Sequence, residues 1–481
     1  MIKALIPLPK SLTEYEGVTT LPLSAYTDVA EWRNPLSTLC VSIKKIYCKD
    51  ADLAEGGIRL VKDASLPTDH YRIDTREGIL LSASSEEGIF YAVASLLQIM
   101  DVKEGMITVP KVLIEDHPDK EYRTLMVDLA REWHPAWTVD RYIDVCFLLK
   151  IKYLHLHFID DERYTLPSRI FPRLSTEGEH YTFEEIAHMN EYANARGVIL
   201  VPEFETPGHA ASMVECYPEV FADNLVGGTG HVLITEEGTV ISAKNLMCAS
   251  KPETMQAIGQ LFDELCEMFP HTPYIHIGGD EANIKAWNSC SDCVAYMKEH
   301  GIEDEYELYS DFTARVAQMV LDRGRTPIVW EGFPKKGAWR IPRETIVIAW
   351  ESHYHMADDL LAEGFKIING SWQPLYITPG FNHGRWSAHD IYNWDVYNLQ
   401  HWWEHSAATV NPVHLPPTDR VIGAQITSWQ CTYEMEICRI METLAVLSER
   451  TWNLDRTMPF DLFQRRLRQN NLTIGRLIQD R

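Results

Sequence analysis

The 481-residue sequence contains no run of about 20 consecutive apolar residues, the length that a membrane-spanning helix needs. It is also short of basic residues: 44 Lys and Arg stand against 69 Asp and Glu, for a formal net charge of −25. A chain of this charge is repelled by nucleic-acid phosphates and by anionic lipid surfaces. The two shortages therefore exclude a membrane span and argue against nucleic acids and membranes as partners.

Cysteine is sparse, and its ten residues show no regular disulfide framework. The one close pair, Cys290 and Cys293, lacks two further ligands at the spacing that a zinc site needs. Structural thiols are therefore the favoured interpretation, and a metal site is the less favoured one. The stretch from Met1 to Pro7 is too short an apolar run for a secretory signal, so we expect a cytoplasmic protein.

A glycine-rich phosphate-binding turn is also missing, which disfavours a doubly wound open sheet. From residue 117 onward the sequence instead alternates apolar, strand-like runs with amphipathic segments. The eight runs are Leu125–Leu129, Tyr153–Phe158, Val198–Pro202, Tyr274–Ile277, Pro327–Trp330, Ile346–Trp350, Lys366–Ile368 and Val421–Ile426. Eight strands that alternate with helices over about 330 residues predict an α/β fold of the (β/α)8 barrel type.

Residues 1–116 predict a separate, small α+β domain. Two alternating runs, Tyr71–Ile73 and Gly78–Ala83, flank a turn and indicate a hairpin, and an apolar stripe between Gly88 and Met100 indicates a helix. Pro118 and its polar neighbours interrupt regular structure. The predicted domains are thus an α+β domain at 1–116 and a barrel with a C-terminal helix at 117–481.

The run from His276 to Glu281 is the most informative motif. Gly278 and Gly279 permit a tight turn after the fourth predicted strand, and Asp280 and Glu281 follow directly. Two adjacent carboxyl groups suit chemistry in which one donates a proton while the other stays charged. Taken alone, the motif is explained equally well by an exposed acidic loop.

Chemically similar side chains follow the other predicted strands. Trp330, Trp350 and Trp429 end strands five, six and eight, while Asp160 follows strand two and His209 follows strand three. The carboxyl ends of barrel strands meet at one face, so these side chains are expected to surround one site. Three indoles at one mouth favour a sugar pocket, because the apolar face of a pyranose stacks on indole.

With these motifs the chain resembles glycoside hydrolase family 20, the β-N-acetylhexosaminidases, over nearly its whole length. The stretch from Arg123 to Arg131 resembles the family's first barrel strand, His155 to Asp161 the second, and Val201 to His209 the third. The resemblance implies an exo-acting enzyme that removes terminal β-linked GlcNAc or GalNAc with retention of configuration. The nucleophile would be the acetamido group of the substrate, which forms an oxazolinium intermediate, and neither a metal nor a cofactor is implied.

The resemblance also implies a role for each site residue. Glu281 would be the general acid and then the base, Asp280 would orient the acetamido N–H, and Tyr376 would bond the acetamido oxygen. The substrate-binding residues would be Arg123, Trp330, Trp350, Trp429, Gln430, Asp160 and His209. A structural ion pair remains an alternative for Arg123, a core tyrosine for Tyr376, and a structural histidine for His209.

Gln430 stands where the family usually has an acidic residue. A neutral side chain there could tolerate GalNAc as well as GlcNAc, or a substituent that a carboxylate repels. Two further functions stay open: a relative that acts on a disaccharide or a modified, for example sulfated, amino sugar, and a non-catalytic sugar-binding protein. The insertion at 226–244 predicts a hairpin. The aromatic insertion at 386–405 could be an aglycone platform or a dimer contact, so a homodimer also stays open.

Overall fold

The computed structural model describes residues 5–222, 231–234, 240–243, 245–379, 386–455 and 458–479. These residues form a small N-terminal sheet with two helices, followed by a closed parallel barrel with its surrounding helices. None of the helices in these ranges combines the length and the apolar character that crossing a membrane requires.

The N-terminal unit is a seven-stranded mixed sheet. Its strands are Ser11–Pro22, Ala25–Thr27, Ile58–Lys62, Tyr71–Asp74, Ile79–Ala83, Asp101–Lys103 and Met106–Asp116. Two helices, Arg33–Tyr47 and Glu86–Ile99, complete the predicted α+β unit. Tyr71–Asp74 pairs antiparallel with Ile79–Ala83, which confirms the predicted hairpin. The second helix begins two residues before the predicted Gly88, because the Ser85 hydroxyl caps it by accepting the Gly88 N–H at 3.2 Å.

All eight predicted barrel strands are present and parallel. Barrel strands 1 to 8 are Tyr122–Asp128, Tyr153–His157, Ile199–Glu203, Tyr274–His276, Thr326–Trp330, Ile346–Ala349, Lys366–Asn369 and Val421–Ser428. Strand 8 pairs with strand 1 and also with strand 7, so the sheet closes on itself. The (β/α)8 barrel is thereby confirmed. Buried apolar side chains of the strands belong to two clusters. One continues into the N-terminal unit, and the other joins strand residues such as Val201, Ile328 and Ile348 to Trp330 and Tyr376.

Helices surround the barrel and extend its loops. They are Ala136–Leu148, Phe183–Asn194, Ala211–Cys216, Pro218–Phe221, Pro252–Met268, Ser291–His300, Glu305–Asp322, Ala357–Ala362, Trp372–Leu375, Ala388–Asn393, Ala407–Val410, Tyr433–Trp452 and Phe460–Ile478. Three 3-10 helices cover Ala30–Trp32, Ile284–Ser289 and Ala338–Arg340. The strand Tyr376–Ile377 pairs with barrel strand 8, and Asn398–Leu399 pairs with Val413–His414.

The insertion predicted as a hairpin contains two strands, His231–Ile234 and Val240–Ala243, which pair antiparallel as expected. Its predicted turn at 236–238 lies outside the described residues.

Arg123 lies at the end of the barrel opposite to the predicted site, so its assignment to substrate binding is wrong. The first barrel strand begins at Tyr122 rather than at Leu125, which places Arg123 at the amino end of the strand. Its guanidinium is fully buried and donates to the Lys150 carbonyl at 2.9 Å and to the Tyr91 hydroxyl at 2.5 Å. Since Tyr91 belongs to the N-terminal helix Glu86–Ile99, Arg123 joins the two units.

Candidate active site

A cavity of about 540 Å³ opens at the carboxyl ends of the barrel strands. Its lining residues are Arg131, Asp280, Glu281, Trp330, Trp350, Glu351, Trp372, Tyr376, Thr378, His401, Trp402, Trp403, Trp429 and Gln430. The structure therefore brings together seven of the ten predicted site residues. His209 contacts the acid pair from behind the lining, Asp160 contacts His209, and Arg123 is absent from the region.

The turn that presents the two acids depends on its glycines. Gly278 and Gly279 have φ values of +68° and +95°. A Cβ on Gly278 would lie 2.0 Å from Glu205 Oε2, and one on Gly279 would lie 2.4 Å from Val329 Cγ2. Glu281 itself is held at φ +45°, a conformation that non-glycine residues seldom adopt outside functional sites. The turn therefore tolerates no side chain before the acid pair.

The two acids differ in exposure and in their protonation. The Asp280 side chain is 10% exposed and its Oδ1 has no hydrogen-bond partner among the described residues. Burial raises the pKa of Asp280 to about 7, and the neighbouring Glu281 charge adds to this. The Glu281 side chain is 54% exposed, and its contact with His209 lowers its pKa. Both pKa shifts are opposite to those that the implied roles of a protonated Glu281 and a charged Asp280 require.

His209 contacts both acids. Its Nε2 lies 3.4 Å from Glu281 Oε2 and 3.8 Å from Asp280 Oδ2, while its Nδ1 lies 3.3 Å from Asp160 Oδ1. Arg131 Nη2 in turn contacts Asp160 Oδ2 at 2.7 Å. Burial opposes a charge on His209, but the surrounding carboxylates outweigh it and raise the pKa of His209 well above its usual range. A cationic His209 therefore separates the two acids from the Asp160–Arg131 ion pair.

A second layer of histidines and carboxylates lies beneath the acids. Glu203 accepts hydrogen bonds from His157 Nδ1 at 2.6 Å and from the Trp330 indole N–H at 2.5 Å. His155 and His276 approach the same carboxylate at 3.0 and 2.9 Å. Such a group has the donor set of a metal site. His157 bonds Glu203 through Nδ1 and Asp160 through Nε2, at 2.9 Å, so this part of the cluster is a hydrogen-bond network that connects the Trp330 indole to Asp160.

Tyr376 and four indoles form an aromatic wall of the cavity. Tyr376 is 3% exposed and stacks between Trp372, at 4.3 Å between ring centroids, and Trp350, at 6.2 Å. Trp330 lies 6.3 Å from Trp350 and 6.1 Å from Trp429. Flat apolar faces around a polar floor are suited to one face of a pyranose.

Two charged lining residues were missed from the sequence. Arg131 follows barrel strand 1, and its guanidinium lies 4.7 Å from the Trp429 ring. Glu351 follows Trp350 directly and is 6% exposed. Burial and the nearby Glu281 charge raise the pKa of Glu351 to about 8. The position just after a predicted strand, which had pointed to Asp160, His209 and the three tryptophans, was the available signal for both residues.

Some tryptophans of the aromatic insertion at 386–405 line the cavity, and another is buried in the core. Trp402 and Trp403 line the cavity, whereas Trp394 is 7% exposed and donates to the Asn398 carbonyl at 3.0 Å. Of the two interpretations left open for this segment, the cavity position of two indoles favours an aglycone platform.

Comparison with protein families decides the assignment. The model of the "Glycosyl hydrolase family 20, catalytic domain" matches residues 121–454, and that of "Glycosyl hydrolase family 20, domain 2" matches residues 3–117. The chain belongs to glycosyl hydrolase family 20. Membership confirms the resemblance stated from the sequence.

Curated relatives in family 20 are moderately similar to this chain. A beta-hexosaminidase of Akkermansia muciniphila is 31% identical over 313 residues, which are 61% of each chain. One of Porphyromonas gingivalis is 28% identical over 391 residues, covering 72% of this chain and 47% of that protein. The matched regions thus span less than two thirds of these relatives. The solved family 20 exo beta-N-acetylglucosaminidase of Vibrio harveyi superimposes with a TM-score of 0.84 at 20% identity, covering 99% of this chain and 78% of that one, which shows the shared fold.

Proposed function

We propose that the protein is an exo-β-N-acetylhexosaminidase that hydrolyses terminal, non-reducing β-linked GlcNAc or GalNAc with retention of configuration. The observation that carries this proposal is the position of Asp280 and Glu281 in one cavity with Tyr376 and three indoles. The beta-hexosaminidase names of the curated relatives support it.

The reaction has two steps. In the first, Glu281 donates its proton to the glycosidic oxygen while the C1–O bond breaks, and the acetamido carbonyl oxygen of the substrate bonds to C1. The aglycone leaves as an alcohol, and the sugar becomes an oxazolinium ion. In the second step, the Glu281 carboxylate takes a proton from water as the water oxygen attacks C1. The bond between C1 and the acetamido oxygen breaks, which opens the oxazolinium ring and regenerates the acetamido group. Two inversions at C1 give net retention, and Tyr376 holds the acetamido oxygen.

Catalysis needs a charged Asp280 and a protonated Glu281, whereas burial raises the pKa of Asp280 and the contact with His209 lowers the pKa of Glu281. Substrate binding therefore has to shift the two pKa values in the opposite directions. An acetamido N–H that donates to Asp280 Oδ1 would stabilise the charged form, and that charge would then raise the pKa of Glu281. His209 contacts both carboxyl groups and so connects them during this exchange.

A second candidate is a relative that acts on a modified amino sugar or on a disaccharide. Gln430 lines the cavity without charge, which removes one source of repulsion toward a sulfate. Trp402 and Trp403 add indole surface beyond the three predicted indoles. Both observations are compatible with a substrate larger than one unmodified sugar.

Hydrolysis of 4-nitrophenyl N-acetyl-β-glucosaminide and of its galacto epimer tests the proposal. We expect turnover by the wild type, a loss of about 10²- to 10⁴-fold in kcat for Glu281→Gln, and no loss for Glu299→Gln, an exposed residue on Ser291–His300. A trifluoroacetamido substrate should react more slowly, because its carbonyl oxygen is a weaker nucleophile.

Equal rates for acetamido and trifluoroacetamido substrates would contradict the substrate-assisted mechanism. Inactivity on both simple substrates, with activity on a 6-sulfated or disaccharide substrate, would select the second candidate. Binding without turnover of any of them would leave a sugar-binding protein.

A further inference from the structure

Three cysteines from two distant segments meet beneath the loop that follows the acid pair. Cys248 belongs to the segment after the inserted hairpin, while Cys290 and Cys293 begin the helix Ser291–His300. All three are at most 1% exposed, and their sulfur atoms lie within 4.8 Å of one another. The sequence offered only the close pair, and folding supplies the third thiol.

The spacing of the donor atoms matches that of a tetrahedral metal site. Cys248 Sγ lies 3.9 Å from Cys293 Sγ, and the Ser250 Oγ lies 3.4 and 3.5 Å from these two atoms. In a tetrahedral zinc site the zinc–sulfur bonds are about 2.3 Å long and a zinc–oxygen bond is about 2.0 Å long. Two sulfur ligands are then about 3.8 Å apart, and a sulfur and an oxygen ligand are about 3.5 Å apart. A disulfide would need sulfurs about 2.0 Å apart.

Without a cation the cluster favours neutral thiols, since the contact with Cys248 raises the pKa of Cys293 to about 12, but two nearby features would offset the charge of thiolates that hold a cation. The Cys293 N–H donates to Cys290 Sγ at 3.3 Å, in the first turn of a ten-residue helix whose amino end is positive. Arg315 Nη2 donates to the Ala249 carbonyl at 2.7 Å, between Cys248 and Ser250. A cation held by three thiolates would have a net negative charge, and both features offset it.

We propose that Cys248, Cys290 and Cys293 bind one thiophilic divalent cation, with zinc as the ion to test. The fourth position falls to the Ser250 hydroxyl or to a water molecule. This site is separate from the catalytic cavity, and its role is structural because no lining residue of the cavity belongs to it.

A bound ion would fix the segments that surround the acids. The Met247 N–H donates to the Pro207 carbonyl at 2.8 Å, two residues before His209. The Met247 carbonyl accepts the Trp287 indole N–H at 3.0 Å, six residues after Glu281. The metal would thus cross-link the loop of His209 to the loop of Glu281.

Metal analysis of the purified full-length protein, after incubation with zinc and dialysis, tests the proposal. We expect one zinc per chain for the wild type and for Cys146→Ala, which removes a buried cysteine of the helix Ala136–Leu148 outside the cluster. Cys248→Ser and Cys293→Ser should lose it. X-ray absorption at the zinc edge of the wild type should find three sulfur neighbours at about 2.3 Å and one lighter atom.

The absorption measurement keeps the proposal testable if the serine variants do not fold. Wild-type protein that retains no zinc, even after refolding in its presence, would overturn the proposal. Zinc with only nitrogen and oxygen neighbours would also overturn it and would point to the histidine and carboxylate network. A mass spectrum with two of these cysteines oxidised to a disulfide in the purified protein would do the same.

Discussion

Replacing Asp280 by Asn should stabilise the folded protein while it abolishes turnover. Burial raises the pKa of Asp280 from 3.8 to about 7, and its Oδ1 has no described partner that would stabilise a charge. Each tenfold change in a protonation equilibrium is worth about 1.4 kcal/mol, so the folded state disfavours the ionised carboxylate by roughly 4 kcal/mol. The neutral amide has nearly the same shape and does not incur this cost.

The gain depends on pH in a defined direction. Below about pH 4 the Asp280 carboxyl group is protonated in both the folded and the unfolded protein, so its burial carries no charge penalty. As the pH rises through about 7 the group ionises in the folded protein as well, and this advantage of the protonated form is lost. The advantage of Asp280→Asn should therefore be near zero at pH 4 and approach roughly 4 kcal/mol by pH 8. Turnover should fall at least about 10²-fold at every pH, since the amide cannot balance the charge on the acetamido nitrogen.

Urea unfolding at pH 4, 6 and 8 measures the free energy of unfolding for wild type and variant. Asp144→Asn is the matched control, because Asp144 is 1% exposed but contacts Lys45 and Arg196 at 2.6 Å each. Removing this paired carboxylate should destabilise the protein by roughly 3 to 5 kcal/mol. The reasoning fails if Asp280→Asn is no more stable than wild type at pH 8, or if the difference does not grow between pH 4 and pH 8.

Four further substitutions separate the residues that line the cavity from Arg123, which does not. Arg131→Lys should raise KM at least tenfold with little change in melting temperature. Arg123→Lys should lower the melting temperature and leave KM unchanged. The reverse result would show that Arg123, and not Arg131, binds the substrate. Glu351→Gln should retain kcat/KM within a few-fold at pH 7, because the pKa of Glu351, raised to about 8 by burial and by Glu281, keeps it neutral there; a large loss at pH 7 would show that its charge is needed. Gln430→Glu should change the ratio of gluco to galacto and 6-sulfated rates, and an unchanged ratio would exclude Gln430 from substrate selection.

The barrel could be predicted because its signal is repeated. Eight apolar runs separated by amphipathic segments specify parallel strands whatever the exact limits of each run. The sequence also contained the signal that separates the two arginines around strand 1. The predicted run Leu125–Leu129 already places Arg123 on the amino side of the strand and Arg131 on its carboxyl side, and the structure confirms both positions. The error lay in assigning Arg123 to the site from the family resemblance against this order.

Contacts between distant segments were beyond the sequence. Cys248 is 45 positions from Cys293, and no local spacing links them. The protonation of the acid pair was unpredictable for the same reason. It depends on the burial of Asp280 and on His209, which comes from a different barrel strand.

Under the proposed mechanism, the opposed pKa shifts of Asp280 and Glu281 give the acetamido group a second role. A hexose without the acetamido group would lack the carbonyl nucleophile, and it would also lack the N–H that stabilises a charged Asp280. The pKa of Glu281 would then stay lowered by its contact with His209, which makes the carboxyl group less protonated at a given pH. The same substituent would thus supply the nucleophile and favour the protonated acid, so we expect a hexose that lacks it to be cleaved more slowly than the acetamido sugar even where the two bind equally well.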